Sequence, residues 1–305
     1  MTARLLDGKR VAQEIREEVK ENAKPLIAKG VVPGLAAVLV GADPASKLYV
    51  GSKTDASAEA GLHSEAVILP EATTREELVA KLDELNQRDD IDAILLQLPL
   101  PDHLDAEEFL DRISPAKDVD GFHPVSVGKL VQKRPGPRPC TPAGVMELLR
   151  RENIDVEGKR AVVLGRSDIV GKPMAMLLTH ANATVTVCHS RTKDLPALAR
   201  EGEILVVAMG RPAMIRKKFI REGAVVVDIG MNRAETLEQV KDFFGDDEKR
   251  LRTFEKRGST LVGDVHPKDV MEVASAFTPV PGGVGPLTIA MLLSNTLALA
   301  KARRG

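Results

Sequence analysis

Cysteine is scarce in this sequence, and its scarcity argues against two kinds of site. Cys140 and Cys188 are the only two cysteines among 305 residues, and neither lies in a C-x-x-C spacing. This argues against a disulfide framework and against a cysteine zinc site, and it is typical of a protein from a reducing compartment. None of the six histidines falls in an H-E-x-x-H spacing, so we predict no metal site.

Net charge and long apolar runs are also lacking. The chain has 43 lysines and arginines against 44 aspartates and glutamates, which leaves a formal net charge of -1. No global field therefore attracts nucleic acid or an anionic membrane. No stretch approaches the roughly 18 uninterrupted apolar residues of a membrane helix, and residues 1–10 lack the apolar core of a secretion signal. We expect a cytoplasmic protein that acts on a small molecule and binds neither nucleic acid nor membrane.

Strand-like apolar runs alternate with helical patterns along the chain. The runs are apolar at nearly every position, which is typical of parallel strands buried on both faces with helices as crossovers. They are Leu35–Val40, Ala66–Leu69, Ile91–Leu96, Arg160–Leu164, Thr184–Cys188, Ile204–Ala208 and Ala224–Asp228. A chain of 305 residues is long enough to bury two cores. The sequence therefore predicts an α/β protein of two domains.

The alternation stops at residues 113–142, which hold six prolines and three glycines. That density disfavours regular elements and indicates either a passage between domains or an active-site loop. At its end, Thr141 as N-cap and Pro142 at the first helical position predict a helix that runs to about Glu152. The apolar pattern of Pro286–Arg303 predicts a last helix that returns to the first domain.

A glycine turn follows the strand that ends at Leu164. Gly165, Arg166, Ser167 and Gly171 lead from this strand into a helix that opens near the next proline. Backbone N–H groups at such a helix start bind phosphate. The spacing is not G-x-G-x-x-G, however, and a plain tight strand-to-helix turn explains the two glycines equally well.

The end of the following strand favours NADP over NAD. A dinucleotide-binding domain that takes NAD places an acidic side chain there, which accepts a hydrogen bond from the ribose 2′-hydroxyl. This chain instead has Ser190 and Arg191 after Cys188, and Arg166 lies in the neighbouring turn. A guanidinium is a permanently charged planar fork that matches a 2′-phosphate. The alternative is a solvated basic loop without a ligand.

Tyr49 and Lys53 follow the first predicted strand. They stand four positions apart, so they share one face if their segment is helical. Open α/β sheets place their sites past the carboxyl ends of strands, and Tyr49 is the only tyrosine of the chain. The alternative is an ordinary amphipathic surface helix.

Gln97 and Asp120 are polar residues that, like Tyr49 and Lys53, lie close to predicted strand ends or turns. Gln97 directly follows the run Ile91–Leu96, and Asp120 lies in the polar turn Lys117–Gly121. Both are candidates for the same site. Both also have a structural explanation, since an amide can cap a loop and an Asx turn satisfies its own backbone.

Seven short motifs, in one order, span nearly the whole chain. They are Ser46–Lys53 (S-x-x-Y-x-x-x-K), Gln97–Pro101 (Q-L-P-L-P), Lys117–Gly121 (K-D-V-D-G), Pro139–Pro142 (P-C-T-P), Gly165–Pro173 (G-R-S-x-I-V-G-x-P), Gly263–Val265 (G-D-V) and Thr278–Thr288 (T-P-V-P-G-G-V-G-P-L-T). In these motifs the chain resembles the bifunctional methylenetetrahydrofolate dehydrogenase/methenyltetrahydrofolate cyclohydrolase family.

The resemblance implies a fold and two activities. It implies a folate-binding catalytic α/β domain over residues 1–141, completed by the C-terminal segment 277–305, and a Rossmann-like NADP-binding domain over residues 142–276. Folate would lie in the cleft between them. The enzyme would oxidise 5,10-methylenetetrahydrofolate with NADP and hydrolyse the methenyl product to 10-formyltetrahydrofolate. Homodimers are usual in the family.

The resemblance also assigns roles to single residues. Lys53 resembles the catalytic lysine and Gln97 its hydrogen-bonding neighbour. Tyr49 resembles the ring that stacks on the pterin, and Asp120 the carboxylate that holds pterin nitrogens. The backbone positions that would contact folate are Pro281, Gly282 and Gly283. The positions that would contact the cofactor are Gly165, Arg166, Ser167, Ser190, Arg191 and Met231.

A neutral Lys53 suits hydrolysis only if its pKa lies well below about 10.4, and burial and a cationic substrate both push it down. Two features depart from the family pattern. Met231 stands where isoleucine or threonine is common beside the nicotinamide, and residues 232–260 form a longer connection than usual, which we expect to hold its own helix.

Two other functions stay open at this point. A shikimate-type NADP dehydrogenase would have a similar layout and a catalytic lysine, but it would reduce a ketone. A dinucleotide-binding sensor without turnover is the other alternative, and the presence of Lys53, Gln97 and Asp120 speaks against it. A formyl-ligase activity is not expected, because the chain has no G-x-x-x-x-G-K-[ST] loop.

Overall fold

The computed structural model of the chain describes residues 3–41 and 44–305, apart from the side chains of residues 44–49. The chain forms two compact units. The first unit comprises the described residues up to Val11 together with Thr141–Thr288, and the second comprises Ala12–Cys140 with Ile289–Gly305.

Helices and strands alternate in both units. The strands of the described residues are β1 (Arg4–Leu5), β2 (Gly34–Val40), β3 (His63–Leu69), β4 (Ala93–Leu96), β5 (Arg160–Leu164), β6 (Thr184–Cys188), β7 (Ile204–Val207), β8 (Val225–Asp228), β9 (Asn232–Ala234), β10 (Thr260–Val262) and β11 (Ala276–Phe277). The α-helices are α1 (Gly8–Ala28), α2 (Pro44–Glu59), α3 (Arg75–Gln87), α4 (Ala106–Arg112), α5 (Pro124–Val131), α6 (Cys140–Arg151), α7 (Gly171–His180), α8 (Leu195–Ala199), α9 (Leu237–Phe244), α10 (Glu248–Arg257), α11 (Pro267–Val273) and α12 (Val284–Arg304).

The first unit is built on a six-stranded sheet in the order β1-β11-β8-β7-β5-β6, in which every pair is parallel. The strand order changes direction beside β5, and open sheets of this kind bind ligands at the carboxyl ends of the strands next to such a point. One apolar cluster includes Val162, Leu205 and Val226, and a second includes Val163 and Val206. Because successive side chains of a strand point to opposite faces, the two clusters cover the two sides of the sheet.

The second unit contains a three-stranded parallel sheet in the order β3-β2-β4. All seven residues of the central strand β2 are buried, whereas the edge strand β3 has exposed and partly buried positions. Helix α3 shows why the flanking helices form where they do. Thr74 and Glu77 make a capping box at its start, and Leu78, Leu82 and Leu85 recur at helical spacing and are fully buried.

Helix α12 is long and apolar enough to cross a membrane by length and composition alone, the one such helix of the described residues. Its side chains belong to the protein core, however: Leu292 is buried in the same cluster as Leu35 on β2. Its last turn is held by ion pairs: the guanidinium groups of Arg303 and Arg304 both bind the fully buried carboxylate of Asp92. Helix α12 is therefore a core helix.

The α/β architecture predicted from the sequence is confirmed, and all seven predicted strands are present within three residues of their predicted bounds. Two local predictions were wrong. Residues 113–142 contain helix α5, which forms because Pro124 takes its first position and His123 Nδ1 accepts from the N–H of Val125 at 3.0 Å. Helix α6 begins at Cys140, so Thr141 does not cap it; the Thr141 hydroxyl instead bonds that of Thr288 at 2.9 Å.

The compact units differ from the predicted domain bounds at two segments. The first described residues, up to Val11, and residues 277–288 lie in the same unit as residues 142–276 and not with the predicted catalytic domain. The first residues join this unit because β1 pairs with β11, where Arg4 lies opposite Ala276. The assignment of folate to one domain and NADP to the other stays a prediction. Residues 232–260 hold two helices, α9 and α10, together with strand β9 and the start of β10.

Candidate active site

Lys53 and Gln97 meet at the carboxyl edge of the sheet in the second unit. Helix α2, which carries Lys53, follows β2, and Gln97 directly follows the neighbouring strand β4. The Lys53 Nζ donates to Gln97 Oε1 at 2.9 Å. The amide nitrogen of Gln97 donates to the carbonyl of Leu98 at 2.7 Å, which turns the amide oxygen toward the lysine. Lys53 is only 6% exposed.

Asp120 lies in the turn Lys117–Gly121. The side chains of Lys117 and Asp118 fix the position of this turn. Lys117 Nζ donates to the carbonyls of Leu85 and Arg88 at 2.9 and 2.5 Å, so it caps the end of α3. Asp118 is buried, and its carboxylate accepts three backbone N–H groups, at 3.0 to 3.2 Å, from Gly121, Phe122 and His123.

Gly121 is required for this turn. Its φ of +70° is in the left-handed region, and an added Cβ would lie 3.0 Å from the backbone of Arg138 and Pro139. The turn is thereby rigid on both sides of Asp120. A rigid support is what a carboxylate needs if it is to hold a ligand in one orientation.

Lys53 and Asp120 shift each other's titration, but burial dominates for both. Burial lowers the pKa of Lys53 from its ordinary 10.5, and the nearby charge of Asp120 opposes this fall. Burial raises the pKa of Asp120 to about 6, against the attraction of Lys53, while Asp118 adds to the rise. Lys53 thus loses its proton more easily than an exposed lysine, and Asp120 is mostly ionised at neutral pH. The pair can exchange a proton with a reacting group.

Cys140 and Asn295 contact Asp120 and the backbone around it. Cys140 Sγ lies 3.8 Å from Asp120 Oδ1, and burial raises the pKa of this thiol, which keeps it protonated and unreactive. Asn295 Nδ2 donates to the carbonyls of Val119 and Arg138 at 2.8 and 2.9 Å. Sequence reasoning missed Asn295; the available signal was a polar residue in the apolar pattern of the last helix.

Tyr49 lies in α2, one turn before Lys53, so the predicted helical segment is confirmed. Its side chain lies outside the described part of the structure, and its predicted stacking role stays a prediction.

The glycine turn of the first unit connects β5 to α7, and its backbone packs closely against neighbouring backbone atoms. Gly165 has a φ of +129°, and an added Cβ would lie 2.2 Å from the carbonyl oxygen of Ala208. At Gly171 an added Cβ would lie 2.4 Å from the carbonyl oxygen of Gly165. The hydroxyl of Ser167 accepts from the N–H groups of Val170 and Gly171 at 3.3 Å, and Ser167 is itself exposed. Backbone donors and an exposed hydroxyl at the start of a ten-residue helix fit a diphosphate.

Ser190 and Arg191 lie beside this turn. Strand β6 pairs in parallel with β5, and the N–H of Gly165 donates to the carbonyl of Cys188 at 2.9 Å. Ser190, Arg191 and Arg166 are all exposed. The first carboxylate after β6, that of Asp194, caps α8. The end of β6 therefore offers a hydroxyl and guanidinium groups, which fit a ribose phosphate.

Two buried carboxylates, which sequence reasoning also missed, shape the loops after β7 and β8. Asp228 accepts the N–H groups of Gly230, Asp264 and Val265 at 2.9 Å, and burial raises its pKa to about 7. Asp264 accepts three N–H groups of the loop after β7; they belong to Met209, Gly210 and Arg211. The G-D-V motif was the signal for Asp264. The neighbouring Met231 is 55% exposed, which leaves it accessible to a ligand.

The loop that holds Pro281, Gly282 and Gly283 is fastened at both ends. Its first residue, Thr278, accepts from the N–H of Asp228 at 2.7 Å. At its other end the N–H of Gly283 donates to Pro279 at 2.8 Å. Pro281 is exposed, and Gly282 has a φ of +106°. The two units thus carry the predicted residues as two sets: Lys53, Gln97 and Asp120 in the second unit, and the loop and turn residues in the first.

Comparison with known proteins covers the whole chain. Two family models match: the tetrahydrofolate dehydrogenase/cyclohydrolase catalytic domain over residues 6–120, and the NAD(P)-binding domain of the same family over residues 139–304. The bifunctional protein FolD of Koribacter versatilis is 56% identical, over 100% of this chain and 99% of its own. The crystal structure of the bifunctional FolD of Campylobacter jejuni has a TM-score of 0.88 at 45% identity, covering 98% of this chain and 99% of that one. That of the Trypanosoma brucei enzyme, complexed with NADP and an inhibitor, has a TM-score of 0.89 at 39% identity and covers 100% of both chains.

Proposed function

The chain belongs to the tetrahydrofolate dehydrogenase/cyclohydrolase family, and we propose how its side chains divide the work of the two reactions. It is a bifunctional methylenetetrahydrofolate dehydrogenase and methenyltetrahydrofolate cyclohydrolase with an NAD(P)-binding domain. Family membership also sets aside the shikimate-type dehydrogenase and the non-catalytic sensor. The assignment of roles rests above all on one observation: the buried Lys53 hydrogen-bonded to Gln97 and electrostatically coupled to Asp120.

The hydrolytic step needs a base. Water adds to the cationic methenyl carbon, and neutral Lys53 takes the proton that the water loses. The bond from this carbon to N5 then breaks, N5 receives a proton, and the formyl group stays on N10. Water plus the methenyl cation thus gives 10-formyltetrahydrofolate and one released proton. Gln97 holds the lysine amine at a fixed position through its 2.9 Å hydrogen bond.

The oxidative step needs positioning more than a base. Loss of hydride from the methylene carbon leaves a cation that the two adjacent ring nitrogens stabilise. The cofactor supplies the hydride acceptor when it is bound. The chain's own part is to hold the folate, and the ionised Asp120 on its rigid turn accepts hydrogen bonds from pterin nitrogens. Tyr49 stacks on the pterin, and the backbone of Pro281, Gly282 and Gly283 adds further folate contacts.

The cofactor residues favour NADP over NAD. Gly165 and Ser167 bind the diphosphate at the start of α7, and Ser190, Arg191 and Arg166 bind the 2′-phosphate. The absence of a free carboxylate at the described end of β6 and the NADP complex of the Trypanosoma brucei enzyme support this choice. Met231 lies beside the nicotinamide.

We infer that the protein is a soluble enzyme that acts in the cytoplasm as a homodimer. Two buried cysteines with free thiols suit a reducing compartment. Sedimentation equilibrium of the purified chain tests the oligomeric state: a mass of two chains supports the dimer, and a mass of one chain contradicts it.

The function is tested with two separate signals on the purified protein. With methylenetetrahydrofolate and NADP, we expect NADPH to form. With methenyltetrahydrofolate alone, we expect its absorbance to decay faster than in buffer. An enzyme that produces NADPH without accelerating hydrolysis, or the reverse, would contradict the bifunctional assignment.

A further inference from the structure

Residues 232–260 form a small structural element of the first unit. Strands β9 and β10 pair in antiparallel fashion, and helices α9 and α10 lie between them in the chain. Its Val240 and Phe243 belong to an apolar cluster that also includes Ala213 and Val262 from outside the element. Helix α10 has no fully buried residue, and only Leu251 and Phe254 pack against this cluster. The function described above gives this element no role.

Arg250 of α10 is partly buried, and its guanidinium binds two different segments. Its Nη1 donates to the carbonyl of Leu261 on β10 at 2.9 Å, and its Nη2 donates to the carbonyl of Val280 at 2.5 Å. The guanidinium carbon also lies 4.3 Å from the centroid of the Phe244 ring. A planar group held by a ring face and two acceptors has little freedom to move. Arg250 therefore fixes the distance between this element and residue 280.

Val280 lies between Pro279 and Pro281. Neither proline has an N–H group, so neither can fasten this part of the loop by donating a backbone hydrogen bond. The backbone of this loop closes on itself at its end, where Gly283 donates to Pro279. The Val280 carbonyl, in the middle of the loop, receives its hydrogen bond from Arg250. This hydrogen bond links the middle of the loop to helix α10 of the same unit.

We propose that Arg250 is a positioning residue for folate binding, because it holds the Val280 carbonyl and with it the adjoining backbone of Pro281, Gly282 and Gly283. This inference rests on the proposed contact between those three residues and folate. The element of residues 232–260 then supports the loop that binds folate.

The test compares Arg250→Met with Arg252→Met. Both variants remove a guanidinium from α10, but Arg252 is exposed, and within the described part of the structure it pairs only with Glu248 on the same helix. The readouts are KM and kcat for methylenetetrahydrofolate, KM for NADP, and the Kd of 5-formyltetrahydrofolate by calorimetry. For Arg250→Met we expect KM and Kd for the folates to rise about tenfold or more, as for the loss of a charge-assisted hydrogen bond. The kcat and the KM for NADP should stay within about twofold, and Arg252→Met should match the wild type.

Two further variants keep the test decisive. Arg250→Lys retains the charge but lacks the fork that reaches both carbonyls, so it should fold normally and show an intermediate rise in the folate KM. Pro281→Ala changes the loop at a position proposed to contact folate and leaves Arg250 intact. If Pro281→Ala raises the folate KM while both folded Arg250 variants bind folate normally, the positioning inference alone fails. If neither position affects folate binding, the proposed contact fails as well. Equal weakening of folate and NADP in Arg250→Met would mean a general loss of structure and would overturn the inference.

Discussion

Replacing Asp120 by Asn should make the folded protein more stable at neutral pH, even though Asp120 is proposed to bind the substrate. Burial raises the pKa of Asp120 from 3.8 to about 6, so the fold resists ionisation of this group. At about 1.36 kcal/mol per pKa unit, the ionised carboxylate costs the fold at most about 3 kcal/mol. This value already includes the attraction between Asp120 and Lys53, which opposes the rise in the pKa of Asp120. We therefore expect Asp120→Asn to raise the free energy of unfolding at neutral pH by up to about 3 kcal/mol.

The sign of the pH dependence identifies the cause. Below pH 3.8 the group is protonated in both states, so the variant and the wild type should have equal free energies of unfolding. Between pH 3.8 and about 6 only the unfolded chain is ionised, and the wild type loses stability as the pH rises. Above that window the difference should be constant.

Urea unfolding from acid to neutral pH measures this difference, and Asp111→Asn, an exposed aspartate in α4, is the matched control. A difference that does not change with pH, or a variant less stable than wild type at neutral pH, would refute the reasoning.

Two further predictions concern binding. Asp120→Ala should weaken folate binding in both reactions and leave NADP affinity nearly unchanged, because in the proposed binding mode the carboxylate contacts the folate and not the cofactor. Titration of NADP and folate against both proteins checks this, and a parallel loss would indicate a folding defect. Arg191→Ala should weaken NADP more than NAD, by about 1.5–3 kcal/mol for one phosphate contact, whereas the exposed Arg200→Ala should not. Equal loss of both cofactors would exclude Arg191 from the 2′-phosphate.

The sheets were predictable because buried parallel strands are apolar at nearly every position. The runs that became β5 and β6 have the predicted bounds to the residue. Helix α5 was not predictable from proline density, since Pro124 disrupts a helix interior but favours a helix start, and only the His123 cap shows which applies. The pairing of β1 with β11 depends on residues about 270 positions apart, which no local pattern reveals.

Site residues at strand ends were predictable for a similar reason. Gln97 follows an apolar run directly, and the carboxyl ends of parallel strands meet at one edge. The contacts of the supporting groups were not predictable, because their partners are distant backbone atoms. Asn295 binds the carbonyl of Val119, and Arg250 binds that of Val280; neither bond leaves a spacing in the sequence.

The central claim is that Lys53 moves protons for hydrolysis while hydride transfer depends on position. Lys53→Met keeps much of the side-chain volume and removes the titratable nitrogen, so the packing of α2 should survive. Lys20→Met, an exposed lysine of α1 in the same unit, is the control and should behave as wild type.

The decisive measurement follows NADPH formation and methenyltetrahydrofolate decay separately on wild type and Lys53→Met, with melting curves for both. The account predicts that hydrolysis falls by about 10²–10⁴-fold while dehydrogenase activity remains measurable. Equal collapse of both rates in a folded variant would mean that Lys53 chiefly positions folate, and retained hydrolysis would remove it from the mechanism.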